Sequence, residues 1–243
     1  MSNKILKIMT LYNDEMNIYG DYGNLLTLQK RCQWHGIETK HIKHEPSKEF
    51  DLDVDIILGG GGQDSGQNKI QADLIKNSSN LHQLTEDGVP MLLICGMYQL
   101  FGHYFETNTG NHINGIGIFD AWTKAGPTRL IGNIVTEISL QSHNIELVGY
   151  ENHSGLTYLN KEQSAFAKVI KGAGNNGSDK TEGARTNNVF GSYLHGPILP
   201  KNPEFTDELI RLAMIKKYDS FTPKDIDDSI AIKALSVSAS HPR

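Results

Sequence analysis

An apolar strand-like run that ends on a cysteine followed at once by glycine is how a thiol nucleophile elbow looks in sequence, and Pro90-Met91-Leu92-Leu93-Ile94-Cys95-Gly96-Met97-Tyr98-Gln99 has that form. Met91 to Ile94 read as a core strand. The turn at Cys95 then holds the sulfur at the strand's C-terminal end, and a helix starting beneath it favours thiolate. Gly96 permits the tight bend, and its amide can donate to a developing oxyanion. The same residues also read as a buried structural cysteine, so Cys95 needs a partner before chemistry is assigned to it.

His195 supplies that partner. It follows the strand-like run Val189 to Leu194 and precedes Gly196-Pro197, which places it at the same sheet edge as Cys95. A cysteine and a histidine are the minimum for an activated thiol, because imidazole takes the proton and the imidazolium stabilises thiolate. The run Leu58-Gly59-Gly60-Gly61-Gly62-Gln63-Asp64 ends another strand. It lacks the Gly-Lys-Ser/Thr of a Walker loop and the spaced glycines of a dinucleotide site. Its backbone can approach a ligand closely, so Gly61 is the expected second oxyanion donor opposite Gly96; a tight turn is the alternative.

The elements around these residues follow from periodicity. Ile5 to Leu11, Glu38 to Lys43, Asp55 to Leu58 and Met91 to Ile94 read as strands. Leu25, Leu28 and Cys32 mark a helix ending at His35-Gly36, and Ile70 to Leu84 reads as a second helix. Strands separated by crossover helices predict an α/β fold with a mostly parallel sheet flanked by helices, its chemistry at the strands' C-terminal ends. From Gly115 to His153 the pattern changes to shorter strands, Ile116-Phe119, Arg129-Ile138 and Glu146-Tyr150, expected as antiparallel additions to the same sheet system. Lys171 to Arg185, rich in Gly, Asn and charge, reads as a mobile loop. Two C-terminal helices are expected over about 202–236, with Asn202-Pro203 and Thr222-Pro223 as their N-cap and first positions. The whole of 1–243 reads as a single domain.

Composition excludes several classes. Charged residues are 21% and hydrophobic residues 38% of the 243, with no run near the roughly 18 apolar residues of a membrane span. The N-terminus has no secretory pattern, so a soluble cytoplasmic protein is expected. With only two cysteines there is no disulfide framework or four-cysteine zinc site, and Cys32 on its helix face reads as structural. The net charge of −5, from 28 acidic and 23 basic residues, comes without the basic stripe that nucleic-acid binding would leave. Ten histidines raise the question of a metal. His41 and His44, three apart on a strand, face opposite sides, and His103, His112 and His143 are isolated, so no metal site is expected.

Taken together, Cys95-Gly96-x-Tyr98-Gln99, Gly60-Gly61-Gly62-x-Asp64 and Tyr193-Leu194-His195-Gly196-Pro197 resemble class I glutamine amidotransferases of the cobyric acid synthase type. Leu11-Tyr12-x6-Tyr19-x-Asp21-x-Gly23-Asn24, Gly149-Tyr150-Glu151-Asn152-His153 and the continuation Ile198-Leu199-Pro200-Lys201-Asn202 narrow the likeness to the glutaminase subunits of lipid II isoglutaminyl synthase, over nearly the whole chain. The resemblance implies a flavodoxin-like class I fold. It implies that Cys95 attacks the side-chain amide of L-glutamine through a thioester, with His195 as base and acid. Arg129, in Thr128-Arg129-Leu130-Ile131-Gly132, would hold the α-carboxylate, and Gln99 is assigned with it to substrate binding. The chain departs from the usual class I pattern at Met97 and Pro197, where glycine and glutamate are common, so the Cys–His–Glu triad is not complete in sequence; Asp21 and Glu151 are the candidates for another carboxylate that could orient His195.

The resemblance further implies a heterodimer with a Mur-ligase-like ATP-dependent subunit of the MurT type, which would amidate the D-glutamate of lipid II. ATP, magnesium and zinc would reside on that partner, with no cofactor in this chain, and the work would be done at the inner face of the membrane through the partner's lipid substrate. A subunit serving another synthetase, such as a corrinoid amidase, and a non-catalytic binding module are the alternatives.

Overall fold

In a computed structural model, residues 4–140 and 143–241 are described. The N-terminal half alternates strands and helices: β1 (Ile5–Leu11), α1 (Tyr22–His35), β2 (Glu38–His44), β3 (Ile56–Gly59), α2 (Asp64–Lys76), α3 (Ser78–Glu86), β4 (Met91–Ile94) and α4 (Gly96–Phe101). Leu25, Leu28 and Cys32 form the buried stripe of α1, and Gly36 ends that helix in the left-handed conformation at φ 79°. β3 and β4 are buried at every position, as strands covered on both faces must be.

The second half contains β5 (Tyr104–Glu106), β6 (His112–Asn114), β7 (Ala121–Ser139), β8 (Asn144–Leu159), β9 (Ala167–Lys171), β10 (Thr181–Glu182), β11 (Ala184–Thr186), β12 (Val189–Ser192), α5 (Pro203–Tyr218) and α6 (Ser229–Ser240). One six-stranded sheet runs β11-β12-β4-β3-β1-β2, parallel except for the β11–β12 pair. A second runs β10-β9-β7-β5-β6 with β8 on β7, antiparallel except for β5–β7. Buried apolar side chains from both sheets, Leu93 and Phe190 in one and Ile134 and Leu147 in the other, belong to one continuous core.

Five expectations are corrected. The antiparallel strands make their own sheet, because β7 and β8 form a hairpin of 19 and 16 residues that pairs with itself and leaves Ile116-Phe119 as loop. Burial alternates along β8 from Glu151 to Thr157, so one face meets the core. The helix read from Ile70 to Leu84 is two, α2 and α3. Asn77 leaves helical geometry at φ −94°, ψ 9°, where its side-chain amide donates to the Asp73 carbonyl at 2.9 Å.

The Lys171 to Arg185 stretch is built into the fold: it contains β10, and Asn175 in it is fully buried with its side chain bonded to Gly183 and Thr181. Asn202 does not cap α5 with its side chain; it bridges Val148 N and O and the Ile198 carbonyl at 2.7–2.9 Å, tying the segment after His195 to β8. The last helix begins at Ser229, not after Thr222-Pro223. The chain before it is committed to α1 instead: Arg31 binds Asp207 and Asp228, and Lys224 N–H donates to His35 Nδ1 at 3.1 Å.

Candidate active site

Cys95 is a bend between β4 and α4 with φ 51° and ψ −104°, a conformation that costs a non-glycine residue free energy and is tolerated where the surroundings fix it. Its amide donates to Ser192 O at 2.8 Å and its carbonyl accepts from Gln99 N at 2.9 Å, so β12 and the first turn of α4 hold the elbow from both sides. Cys32 lies elsewhere, fully buried on α1, its thiol pushed up to about 12 by burial and then by Asp207.

His195 stands three residues beyond β12. Its backbone exchanges two hydrogen bonds with Tyr150 of β8, at 3.0 and 3.2 Å, so the second sheet fixes where the imidazole stands over the first. The ring is 1% exposed and lies between Cys95 and Asp21, with Nδ1 3.7 Å from Asp21 Oδ1. Burial acts against its charge, but Cys95 and Asp21 outweigh that and raise it to about 10. Imidazolium is the form this site favours.

Asp21 is placed through one of its oxygens. Oδ2 accepts the Gly61 amide at 2.7 Å. Asp21 occupies the position before α1 without capping it; Asn17 Oδ1 takes the Tyr22 amide instead at 2.8 Å. Pro197, standing where class I enzymes have glutamate, packs on Gly23, where an added Cβ would come within 2.6 Å of the proline ring. That contact docks the start of α1, and Asp21 with it, beside His195.

Glu151 takes no such place. It is fully buried under β8, and its carboxylate accepts the amides of Ala173 and Gly174 at 2.9–3.1 Å. Asp21 lies within ion-pair distance of His195.

The glycine run is explained by close approach. A Cβ on Gly60 would lie 2.2 Å from the Met16 carbonyl oxygen, and one on Gly62 2.3 Å from the Met16 sulfur. The expectation for Gly61 changes, since its amide is already given to Asp21. The amide nitrogen of Gly62 is the one that faces Gly96, 2.9 Å from where a Cβ on Gly96 would stand.

Cys95, Gln99 and Arg129 line one cavity of about 580 Å³, together with Tyr19, Gly62 and His153. A larger depression of about 770 Å³ beside β9 holds none of the residues singled out from sequence. Arg129 lies in the bulge where the β7–β8 register shifts. Its Nε and Nη2 donate to Asn152 Oδ1 and O at 3.0 and 2.9 Å, which fixes the guanidinium plane. Gln99 is held at both ends of its amide, accepting from Gln67 at 2.7 Å and donating to Tyr193 at 3.1 Å.

Sequence reasoning passed over three residues here. His153 stacks face to face on Tyr193 with centroids 3.6 Å apart and is pushed down to about 3 by burial, so it stays neutral. Tyr19 meets His195 edge-on at 4.8 Å. Glu182, fully buried, accepts from the Ser192 hydroxyl and the Tyr193 amide, both at 2.8 Å, and so braces the turn that leads to His195. The Tyr19 and His153 positions were visible only as parts of longer motifs.

A strained cysteine at a parallel strand's end, a histidine across from it and paired glycine amides define a class I glutamine amidotransferase. The fold agrees: the protein in a Thermotoga maritima PurLQS structure superposes with a TM-score of 0.58 at 13% identity, covering 86% of this chain and 97% of that one. A structure described as a glutamine amidotransferase gives 0.55 at 15% identity, covering 84% and 98%. Residues 7–203 match the CobB/CobQ-like glutamine amidotransferase domain. The GatD subunit of the glutamine-hydrolysing lipid II isoglutaminyl synthase of Staphylococcus aureus is 38% identical over 96% of this chain and 94% of its own length. Its Streptococcus pneumoniae counterpart is 38% identical over 88% and 82%. A probable cobyric acid synthase of Methanococcus maripaludis is 32% identical over 61% of this chain and 32% of the relative. The chain therefore belongs to the CobB/CobQ-like glutamine amidotransferases and, within them, to the GatD family.

Proposed function

We propose that this chain hydrolyses L-glutamine at Cys95, with His195 as general base and acid and Asp21 as the group that orients it. The thiol's proton rests on His195, as the imidazolium the site favours, and the thiolate sulfur adds to the carboxamide carbon. The amides of Gly96 and Gly62 receive the oxyanion. As the C–N bond breaks, His195 returns its proton to the departing nitrogen, leaving ammonia and a glutamyl thioester. Water, giving a proton to His195, then cleaves the thioester to glutamate. Arg129 pairs with the α-carboxylate, and Gln99 forms part of the cavity wall against which the side chain lies. The observation that carries this reading is the placement of His195 between Cys95 and Asp21.

The ammonia serves the amidation of lipid II, as a glutamine amidotransferase subunit of that synthase. The partner in this reading is a Mur-ligase-like ATP-dependent subunit of the MurT type, in a heterodimer, and ATP, magnesium and zinc belong to it. Support comes from the likeness to two lipid II isoglutaminyl synthase subunits over most of the chain. Among the described residues no helix is long and apolar enough to cross a membrane, and no cluster of His, Cys, Asp and Glu is arranged for a metal. In this reading the complex is cytoplasmic and reaches the inner face of the membrane through the partner's substrate. Co-expression with a Mur-ligase-like partner tests it: glutamine- and ATP-dependent amidation of lipid II is expected. Failure to associate, or amidation of a corrinoid instead, would overturn it.

A further inference from the structure

Tyr19 is held over the site by its neighbours. It is a non-glycine residue at φ 64°, followed by Gly20 at φ 73°. On one side the Ile18 amide donates to Gly61 O at 3.0 Å; on the other Asp21 receives the Gly61 amide at 2.7 Å. Both flanks are thus pinned to the glycine loop, and the residue between them is turned outward into a left-handed conformation that tyrosine adopts only under constraint. What it reaches is specific. The ring meets the His195 imidazole edge-on, with centroids 4.8 Å apart and planes at 67°, and the hydroxyl oxygen lies 3.5 Å from Arg129 Nη2. The residue remains 44% exposed and lines the cavity that holds Cys95, Gln99 and Arg129.

We propose that Tyr19 positions both the acid-base group and the substrate: its ring fixes the His195 imidazole, and its hydroxyl, accepting from Arg129, donates its own proton to the glutamine α-carboxylate. The inference rests on glutamine hydrolysis at this site with Arg129 as carboxylate ligand. Asp21, 3.7 Å from Nδ1, orients the His195 ring from one side, and the Tyr19 ring packs on it from another. An edge contact restricts the ring's rotation without neutralising it. The hydroxyl adds a donor to a carboxylate that Arg129 alone would meet with the part of its fork left free by Asn152.

The two roles separate in steady-state kinetics of the assembled synthase, measured as ammonia release from glutamine. Tyr19→Phe keeps the ring and loses the hydroxyl, so KM for glutamine is expected to rise about tenfold with kcat within about twofold. Tyr19→Ala loses both, so the same rise in KM comes with a fall in kcat of at least about tenfold. In an Arg129→Ala background, Tyr19→Phe is expected to add little, because the two groups act on one carboxylate. Wild-type KM in Tyr19→Phe would overturn the hydroxyl's role, and wild-type kcat in Tyr19→Ala the ring's. If Arg129→Ala left KM unchanged, the carboxylate reading and the hydroxyl's role would fall together, while the ring's role would still be decided by kcat.

Discussion

Gly61 donates its amide hydrogen to Asp21 Oδ2 across 2.7 Å, and the other oxygen of that carboxylate stands 3.7 Å from His195 Nδ1. The glycine loop therefore meets two neighbours, with the Gly61 amide turned to Asp21 and the Gly62 nitrogen to Gly96. Asp21 arrives from the start of α1 and not from the residue two after the histidine. Pro197 at that position packs against Gly23 at the start of α1, two residues after Asp21.

Removing that charge has a signed consequence. A neighbouring carboxylate favours imidazolium, so Asp21→Asn lowers the His195 value from about 10. The alkaline limb of kcat/KM, where the imidazolium loses its proton, is expected to move to lower pH, with turnover down by about 10- to 100-fold. Glu151→Gln, whose carboxylate is bonded to the Ala173 and Gly174 amides, is expected to leave that limb in place. A pH profile that shifts with Glu151 and not with Asp21 would reverse the assignment.

Arg129 offers a test by bypass. Arg129→Lys keeps the charge but loses the planar fork, and losing a charge-assisted hydrogen bond costs roughly 1.5–3 kcal/mol, about 10- to 150-fold. Glutamine-driven amidation by the assembled synthase is expected to fall by that factor, and more in Arg129→Ala. High ammonia supplied directly is expected to restore it. Equal losses with both nitrogen sources would place Arg129 in folding or assembly instead.

The parallel sheet, the elbow at Cys95 and the pairing of Cys95 with His195 were legible because each leaves a local mark: an apolar run, a glycine, a strand end. The length of β7 and β8 was not, since the strand read from Arg129 to Ile138 continues back to Ala121 through Gly126-Pro127, which the structure absorbs in a bulge between Ala125 and Leu130. Glu151 was a candidate orienting group because it follows the strand read over Glu146 to Tyr150, but its position on β8 directs it to the amides at 173 and 174. Gly61 against Gly62 was a choice that sequence offers no means to make, because it depends on which amide the distant Asp21 takes.

Glu182 makes a prediction for stability. Burial raises its carboxyl to about 7, against the hydrogen bonds from Tyr193 and Ser192. In the unfolded chain it ionises near the ordinary value of about 4.3. Between those values the unfolded state gives up a proton that the folded state retains, so this group's contribution falls as pH rises and stays low above about 7. Glu182→Gln carries no charge to bury. It is expected to melt higher than wild type at pH 8, by on the order of 2 kcal/mol, with the difference shrinking at pH 5. A constant difference across that range would mean that the carboxyl's ionisation is not what the fold opposes.

The central claim, that Cys95 is the nucleophile, is tested most directly by a glutamine analogue with a diazoketone in place of the carboxamide. Such a compound binds as substrate and alkylates the attacking sulfur. Peptide mass spectrometry of the labelled synthase is expected to find one adduct per copy of this chain, on the peptide containing Cys95. Excess glutamine should protect it, and Cys95→Ser should abolish it together with ammonia release, while Cys32→Ala leaves both intact. Full glutamine hydrolysis by Cys95→Ser, or inactivation with the label on Cys32, would contradict the account.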